Sequence, residues 1–273
     1  MPFPASRRGL LAALGASAAG LMPARAASPA APAAPDAEGE GTCWLTPQAV
    51  EGPFYRDPKL VRSDIREGRP GVPLRLALRV IEAGRCAPVA GARVDVWHCD
   101  AQGLYSGYPG QGETGADTTG QTFLRGSQTT DAAGRAGFDT IYPGWYPGRA
   151  THVHVKVFLD ARTMLTGQIY FPDALSEFLY ARVPAYGGRA VERTIINAND
   201  GLAADDPDRR GFCAVSEERD RYRAALVLGV DRAADGDGGP PGPGPGGPPR
   251  RPRARMSPQE RIAALVPGLR RDR

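Results

Sequence analysis

The chain has 273 residues, with 34 Lys and Arg against 30 Asp and Glu and a formal charge of +4 at pH 7. That charge is terminal: residues 1–26 hold three arginines and no acid, and residues 231–273 hold nine arginines against five acids, which leaves about −3 for residues 27–230. A nucleic-acid binder carries its basic patch on the folded domain, so this distribution excludes that class, and the length suits one or two domains.

In chain order, SRRGLLAALGASAAGLMPARA (6–26) reads as a twin-arginine secretory signal. Arg7 and Arg8 precede an apolar run, and Ala24-Arg25-Ala26 forms a small-residue cleavage pattern. The run is broken by Gly15 and Gly20 and is too short to cross a bilayer, and no other stretch is long and apolar enough to do so. The expectation is a periplasmic or extracellular protein with no membrane span, a signal peptide at 1–26, a flexible linker at 27–41 and one domain at 42–230. Cys43, Cys86, Cys99 and Cys213 are an even number in an exported chain, which favours two disulfides. Their pairing stays open among three choices.

From Leu74 to Phe171 short strands alternate with turn residues. LRLALRVIEAG (74–84) and ARVDVWH (92–98) alternate apolar and polar side chains. Between them CAPVAG, with Pro88 and Gly91, reads as a hairpin connection. TTDAAGRAGFDTIY (129–142) holds a turn at Asp131 and Gly134 and leads into a strand. THVHVKVFLD (151–160) alternates again, GQIYFP (167–172) is a further strand, and ALSEFLYARV (174–183) is a short helix. Short strands at near-regular spacing with Gly/Pro turns predict an all-β fold, a β-sandwich or barrel with few helices and long loops. After residue 230, GGPPGPGPGGPP (238–249) can neither pair as a strand nor continue a helix. The segment 231–273 therefore reads as a Gly/Pro- and Arg-rich disordered tail, with a weak helical pattern in SPQERIAAL.

The chemistry concentrates in PGWYPGRATHVH (143–154), which holds two of the three histidines. On a strand, side chains repeat every second residue, so His152 and His154 project from one face while Val153 points into the core. Two imidazoles on one face can converge on a metal ion. The pair alone is equally compatible with polar residues on a half-exposed sheet. Tyr146, in a Pro/Gly-rich loop upstream, and Tyr105, after the strand ending at Trp97-His98, add two oxygen donors. No carboxylate follows at the spacing usual for zinc or ferrous sites. A His/His/Tyr/Tyr set suits a hard trivalent ion, because a phenolate is anionic and its pKa near 10 must be depressed by the metal. His98 reads as a supporting residue rather than a ligand.

EGPFY (51–55), VDVWHCDAQGLYSGY (94–108), TDAAGRAGF (130–138), PGWYPGRATHVHV (143–155) and TGQIYF (166–171) together resemble the aromatic intradiol ring-cleavage dioxygenases, which include catechol 1,2-dioxygenase and protocatechuate 3,4-dioxygenase. The motifs occur in the family's order across residues 43–215. The resemblance implies the intradiol-type β-sandwich and a non-haem Fe(III) held by Tyr105, Tyr146, His152 and His154. It further implies that Tyr146 is displaced by the incoming substrate and that Arg149 and Gln168 lie beside the substrate. Gly52, Pro53 and Tyr55 are expected to border the pocket. The family's R-P-A-H-I-H appears here as R-A-T-H-V-H, a change that spares the arginine and both histidines. The implied reaction inserts both atoms of O2 into a catechol, cleaving the ring between its two hydroxylated carbons to a cis,cis-muconate-type diacid. The implied partners are a catechol-type small molecule and O2; a homo-oligomer is compatible with the sequence. The rival reading is an exported β-sandwich that binds metal or polyphenol without ring cleavage.

Overall fold

β1 (Pro73–Glu82) realises its alternation in space: Leu74, Leu76, Leu78 and Val80 are buried, while Arg75, Ala77 and Arg79 stand on the opposite face. The structure, a computed structural model, describes residues 43–57, 59–160, 162–234 and 255–266. The expected signal peptide at 1–26, the linker at 27–41 and the Gly/Pro run of the tail lie outside these residues. Among the described residues no helix is long and apolar enough to cross a membrane.

Among the described residues eight strands form two four-stranded sheets, the β-sandwich expected from the sequence. The first sheet has the order β4 (Arg135–Ile141), β1, β8 (Tyr222–Val230), β7 (Ala214–Glu217). The second has the order β3 (Arg125–Thr129), β2 (Arg93–Trp97), β5 (His152–Leu159), β6 (Arg162–Tyr170). Only β1 and β8 run parallel. The core between the sheets takes Leu74, Leu76, Leu78, Val80 and Phe138 from one side and Val94, Val96, Val153, Val155 and Val157 from the other. Each fully buried aliphatic side chain of this kind contributes about 1.5–3 kcal/mol.

Three sequence expectations are corrected. CAPVAG does not close a hairpin: β1 and β2 lie in different sheets, and the chain crosses the sandwich between them. β3 and β4 also lie in different sheets, while the turn expected at Asp131 and Gly134 forms, with Gly134 N on the Asp131 carbonyl at 2.9 Å. Alternation requires only that the apolar face meet a core, and facing sheets satisfy it as well as neighbouring strands do. β3, β7 and β8 go undetected by periodicity, because RGSQT and AVSE are short and largely polar and YRAALVLGV lacks a clean two-residue repeat. Only one disulfide forms, Cys43–Cys86, while Cys99 and Cys213 are buried free thiols. Cys99 lies among the aromatic rings beside Trp97, whereas Cys213 packs in the inter-sheet core, so the two are separated by the fold.

The second sheet is buried on both faces, which the alternation did not anticipate. A strap, residues 46–57 and 59–65, runs over its outer side. Thr46 N bonds the Gly229 carbonyl, Ala49 N bonds the Thr166 carbonyl, and Leu60 and Arg62 pair with Ser127. β2 and β5 are consequently buried along nearly their whole length. α1 (Asp173–Arg182) follows β6, and from it Tyr180 Oη bonds the Pro143 carbonyl at 2.8 Å and Thr151 Oγ1 at 2.7 Å, bracing the loop before β5. Within the tail, α2 (Pro258–Leu265) is started by a capping box between Ser257 and Glu260, and Arg261 reaches Glu177 of α1 at 2.5 Å.

Candidate metal centre

The strand register builds the centre. His154 of β5 lies opposite Trp97 of β2 and opposite Gln168 of β6, and His152 lies opposite Tyr170. All these side chains point to the outer face, beneath the strap, while Val153 between the histidines is fully buried in the core. His152 and His154 are each 2 % exposed, so the half-exposed sheet reading does not hold.

Two loops bring the tyrosines to this face. Leu104 precedes Tyr105 in a turn whose amides, those of Gln102 and Leu104, bond Asp100 Oδ1 at 2.9 Å. Tyr146 sits in the loop between β4 and β5. The two loops touch backbone to backbone: a Cβ on Gly144 would lie 2.2 Å from the Asp100 carbonyl oxygen, and one on Gly103 would lie 2.3 Å from that of Trp145. Gly103 also has φ +84°, a region glycine adopts without strain. Only glycine fits either position.

The donors converge. Tyr146 Oη is 3.1 Å from His152 Nε2, and His152 Nε2 is 3.1 Å from His154 Nε2. The Tyr105 ring stands 5.7 Å from that of Tyr146 and 6.0 Å from that of His154. Its hydroxyl is buried without a well-formed hydrogen bond. His152 Nδ1 meets the Ala150 carbonyl at 2.7 Å, so it carries the proton and leaves the Nε2 lone pair facing its neighbours. Trp97 stacks on His154 at 4.8 Å, and Phe54 stacks on Tyr105 at 4.3 Å.

Electrostatics keep the four donors uncharged when no cation is near. Burial, then the Arg149 guanidinium, lower His152 to about 3, and burial with His152 takes His154 well below its usual value. Burial pushes Tyr146 up to about 12, and burial with the neighbouring Tyr146 holds Tyr105 well above 10. Among the described residues no group of three His, Cys, Asp or Glu could hold an ion, so any metal here depends on the tyrosines. Two neutral imidazoles and two phenols, one of them the orphaned buried hydroxyl of Tyr105, fit Fe(III), whose charge would bring phenol ionisation into the neutral range.

Arg149 and Gln168 lie beside the pair. Arg149 donates one terminal nitrogen to Gln168 Oε1 and its Nε to Asp200 Oδ2 at 2.9 Å. Tyr170 Oη donates to the same Gln168 oxygen at 3.0 Å. A cavity of about 190 Å3 is lined by Gln168 and Tyr170 together with Gln48 and Leu202, and none of the four candidate donors lines it. Of the three expected pocket residues, Gly52 meets the centre: at φ +76°, a Cβ there would lie 3.3 Å from His154 Cε1. Pro53 is exposed, and Tyr55 turns its hydroxyl to Asp95 at 3.0 Å. Phe54, between them, stacks on Tyr105 at 4.3 Å, and the Tyr55 ring packs on Trp97 at 4.8 Å. His98 is buried elsewhere, against Thr140 Oγ1 at 2.7 Å and the Cys99 carbonyl at 2.8 Å.

Sequence reading missed Asp200 and Arg125. Arg125 is buried and donates only to neutral oxygens, those of Ser106 and the Phe54 carbonyl, clamping both segments that flank Tyr105. Its strand has almost no apolar signal, and Asp200 lies 51 residues from Arg149, so nothing local marks either.

A family model described as a dioxygenase matches residues 47–181. The chain is 30% identical over 184 residues to catechol 1,2-dioxygenase of Acinetobacter baylyi, covering 57% of each protein. It is 34% identical over 131 residues to the protocatechuate 3,4-dioxygenase beta chain of Burkholderia cepacia, covering 44% of this chain and 53% of that one. The chain thus spans about half the length of the curated relatives it matches. An intradiol ring-cleavage dioxygenase from Tetranychus urticae superposes with a TM-score of 0.64 at 28% identity, covering 71% of this chain and 98% of that one. With the sandwich, the motif order and these matches in agreement, the chain belongs to the intradiol ring-cleavage dioxygenase family.

Proposed function

We propose that the protein is a non-haem Fe(III) dioxygenase that inserts O2 into a catechol and cleaves the ring between the two hydroxylated carbons, giving a cis,cis-muconate-type diacid. The observation that carries this reading is the convergence of Tyr146 Oη, His152 Nε2 and His154 Nε2 at 3.1 Å spacings, with Tyr105 alongside. Tyr105, Tyr146, His152 and His154 would hold the iron. When bound, Fe(III) supplies the Lewis acidity that makes a catechol dianion accessible near neutral pH and draws electron density from its ring.

The chain's own residues supply the rest. His152 is oriented through Nδ1 by the Ala150 carbonyl. Tyr146 Oη, the donor carried on a loop rather than a strand, is the group suited to accept a proton from an incoming catechol hydroxyl. Arg149 is a fixed cation in a water-poor site, suited to offset negative charge developing on the substrate. Gln168 holds that guanidinium through Oε1 and places its amide toward the Val50 carbonyl at 3.3 Å. The strap, through Gly52 and Phe54, limits water at the histidines.

Export to an oxidising compartment belongs to the same proposal, supported by the twin-arginine pattern and by the Cys43–Cys86 disulfide. Mass spectrometry of the mature N-terminus from a periplasmic fraction tests it; retention of residues 1–26 would count against it.

Iron content, visible spectrum and oxygen uptake test the main reading. Tyrosinate–Fe(III) charge transfer should give a coloured protein whose broad band shifts when catechol is added without oxygen. Oxygen-electrode assays on catechol, protocatechuate and hydroxyquinol should then show turnover with at least one. A colourless, iron-free protein from an iron-replete preparation overturns the reading. A coloured protein with no O2 uptake on any catechol would favour a binding module.

A further inference from the structure

Asp200 lies far from the motifs that carry the centre in sequence, yet it is fully buried beside it. A buried carboxylate without partners costs several kcal/mol, so its contacts are informative. It has four. Oδ2 accepts from Arg149 Nε at 2.9 Å and from the Ala150 amide at 2.7 Å. Oδ1 accepts from the amides of Leu202 and Ala203 at 2.8 and 3.0 Å. Burial alone would raise this carboxyl; the Arg149 guanidinium and the amide donors instead hold it at about 2.

The segment bearing Asp200 is itself anchored. Asn197 Nδ2 donates to the Phe171 carbonyl at 2.7 Å, and the Asn197 amide donates to Asp173 Oδ2 at 2.9 Å. The Asp200 amide closes a turn onto the Ile196 carbonyl at 2.9 Å. Asp200 is therefore fixed to the end of β6 and the start of α1, and it transmits that position to the loop before β5.

Arg149 is a long side chain that loses rotamer freedom when fixed. Gln168 alone holds it at one terminal nitrogen, about which the planar group can still pivot. Asp200 adds a second, charged contact at Nε. The guanidinium plane is then set by two points, and its other terminal nitrogen makes no hydrogen bond among the described residues.

We propose that Asp200 is a positioning residue for the dioxygenase reaction: its carboxylate fixes the Arg149 guanidinium so that its unengaged terminal nitrogen is presented to a bound catecholate. This inference rests on the function proposed above.

The test uses Asp200→Asn and Asp200→Glu in the full chain, with rates expressed per bound iron. Asp200→Asn should lower kcat about 10- to 100-fold, the scale expected from misplacing a catalytic group, with a smaller change in KM. Asp200→Glu should recover part of that loss. In an Arg149→Gln background, Asp200→Asn should cost less than about 2-fold further, since the two residues act as a unit. In metal-free protein, the Arg149 Nε–H NMR signal should exchange slowly with water in the wild type and rapidly in Asp200→Asn. Wild-type kcat per iron in Asp200→Asn, or losses that add in the double variant, would overturn the proposal. A rapidly exchanging Nε–H in the wild type would overturn it even if the variants do not fold. Absence of iron or turnover in the wild type would instead sink the dioxygenase reading, and slow Nε–H exchange would still mark the Asp200–Arg149 tie.

Discussion

His152 shows how much one side chain can be asked to do. Its backbone sits on β5, its Nδ1 is committed to the Ala150 carbonyl, and its Nε2 faces both Tyr146 and His154 at 3.1 Å. Removing either histidine deletes a donor from a set of four. His152→Ala and His154→Ala should each weaken iron binding by about 100-fold or more, read as iron per chain after dialysis. Retention of full iron by either variant would remove that residue from the ligand set. Tyr146→Phe keeps the ring that packs against Tyr105 and Phe54 but deletes the hydroxyl. It should shift the visible band and slow turnover about 100-fold, the usual size of a lost acid–base group. An unchanged spectrum would show that Tyr146 is not a donor.

At the scale of elements, the centre is three paired strands and two loops held in register. Strand pairing fixes His154 against Trp97 and Gln168, and backbone contact at Gly103 and Gly144 fixes one tyrosine loop against the other. Gly144→Ala would drive a methyl into the Asp100 and Ala101 carbonyls. It should destabilise the fold by about 1–3 kcal/mol, as overpacking does. Because the displaced loop carries Tyr146, iron affinity should fall as well. Urea unfolding and iron titration check the two parts; a stable variant with wild-type affinity would show that the loops do not depend on this approach. The five motifs were legible at this scale because each is local: a turn, a strand or a loop. The partner of each strand was not, since β1 and β2 satisfy the same alternation from opposite sheets.

Two predictions concern the whole molecule. Cys43–Cys86 ties the start of the strap to the far end of β1 and closes 43 residues. Losing it should cost about 2–4 kcal/mol, on the view that a crosslink restricts the unfolded chain. Unfolding of Cys86→Ala, compared with the parent under reducing and oxidising conditions, checks this; equal midpoints would contradict it. The second prediction concerns pH. Burial lowers His98 from 6.5 to about 4, so the folded protein resists protonation that the unfolded chain accepts. The unfolded state binds more protons below pH 6.5, and the stability contribution is present above that value and lost as pH falls toward 4. The loss from His98 amounts to about 3 kcal/mol. His98→Gln should flatten the stability profile of metal-free protein between pH 7 and pH 4, and an unaltered slope would refute the assignment.

By itself the sequence determined the fold class and offered the candidate donor set. Alternation and turn chemistry are properties of neighbouring residues, and the spacing of His152 and His154 fixes a shared face on any strand. The order of the motifs supplied Tyr105, Tyr146, Arg149 and Gln168. Tertiary structure alone decided which strands pair, which cysteines bond, and that the outer face of the second sheet is covered by the strap. It also brought Asp200 to Arg149 across 51 residues and laid Phe54 on Tyr105 and Tyr55 on Trp97. Those outcomes depend on contacts between segments distant in the chain, and no local period encodes such contacts. PGWYPGRATHVH therefore offered its candidate donors in sequence, and the fold chose the residues that hold them in place.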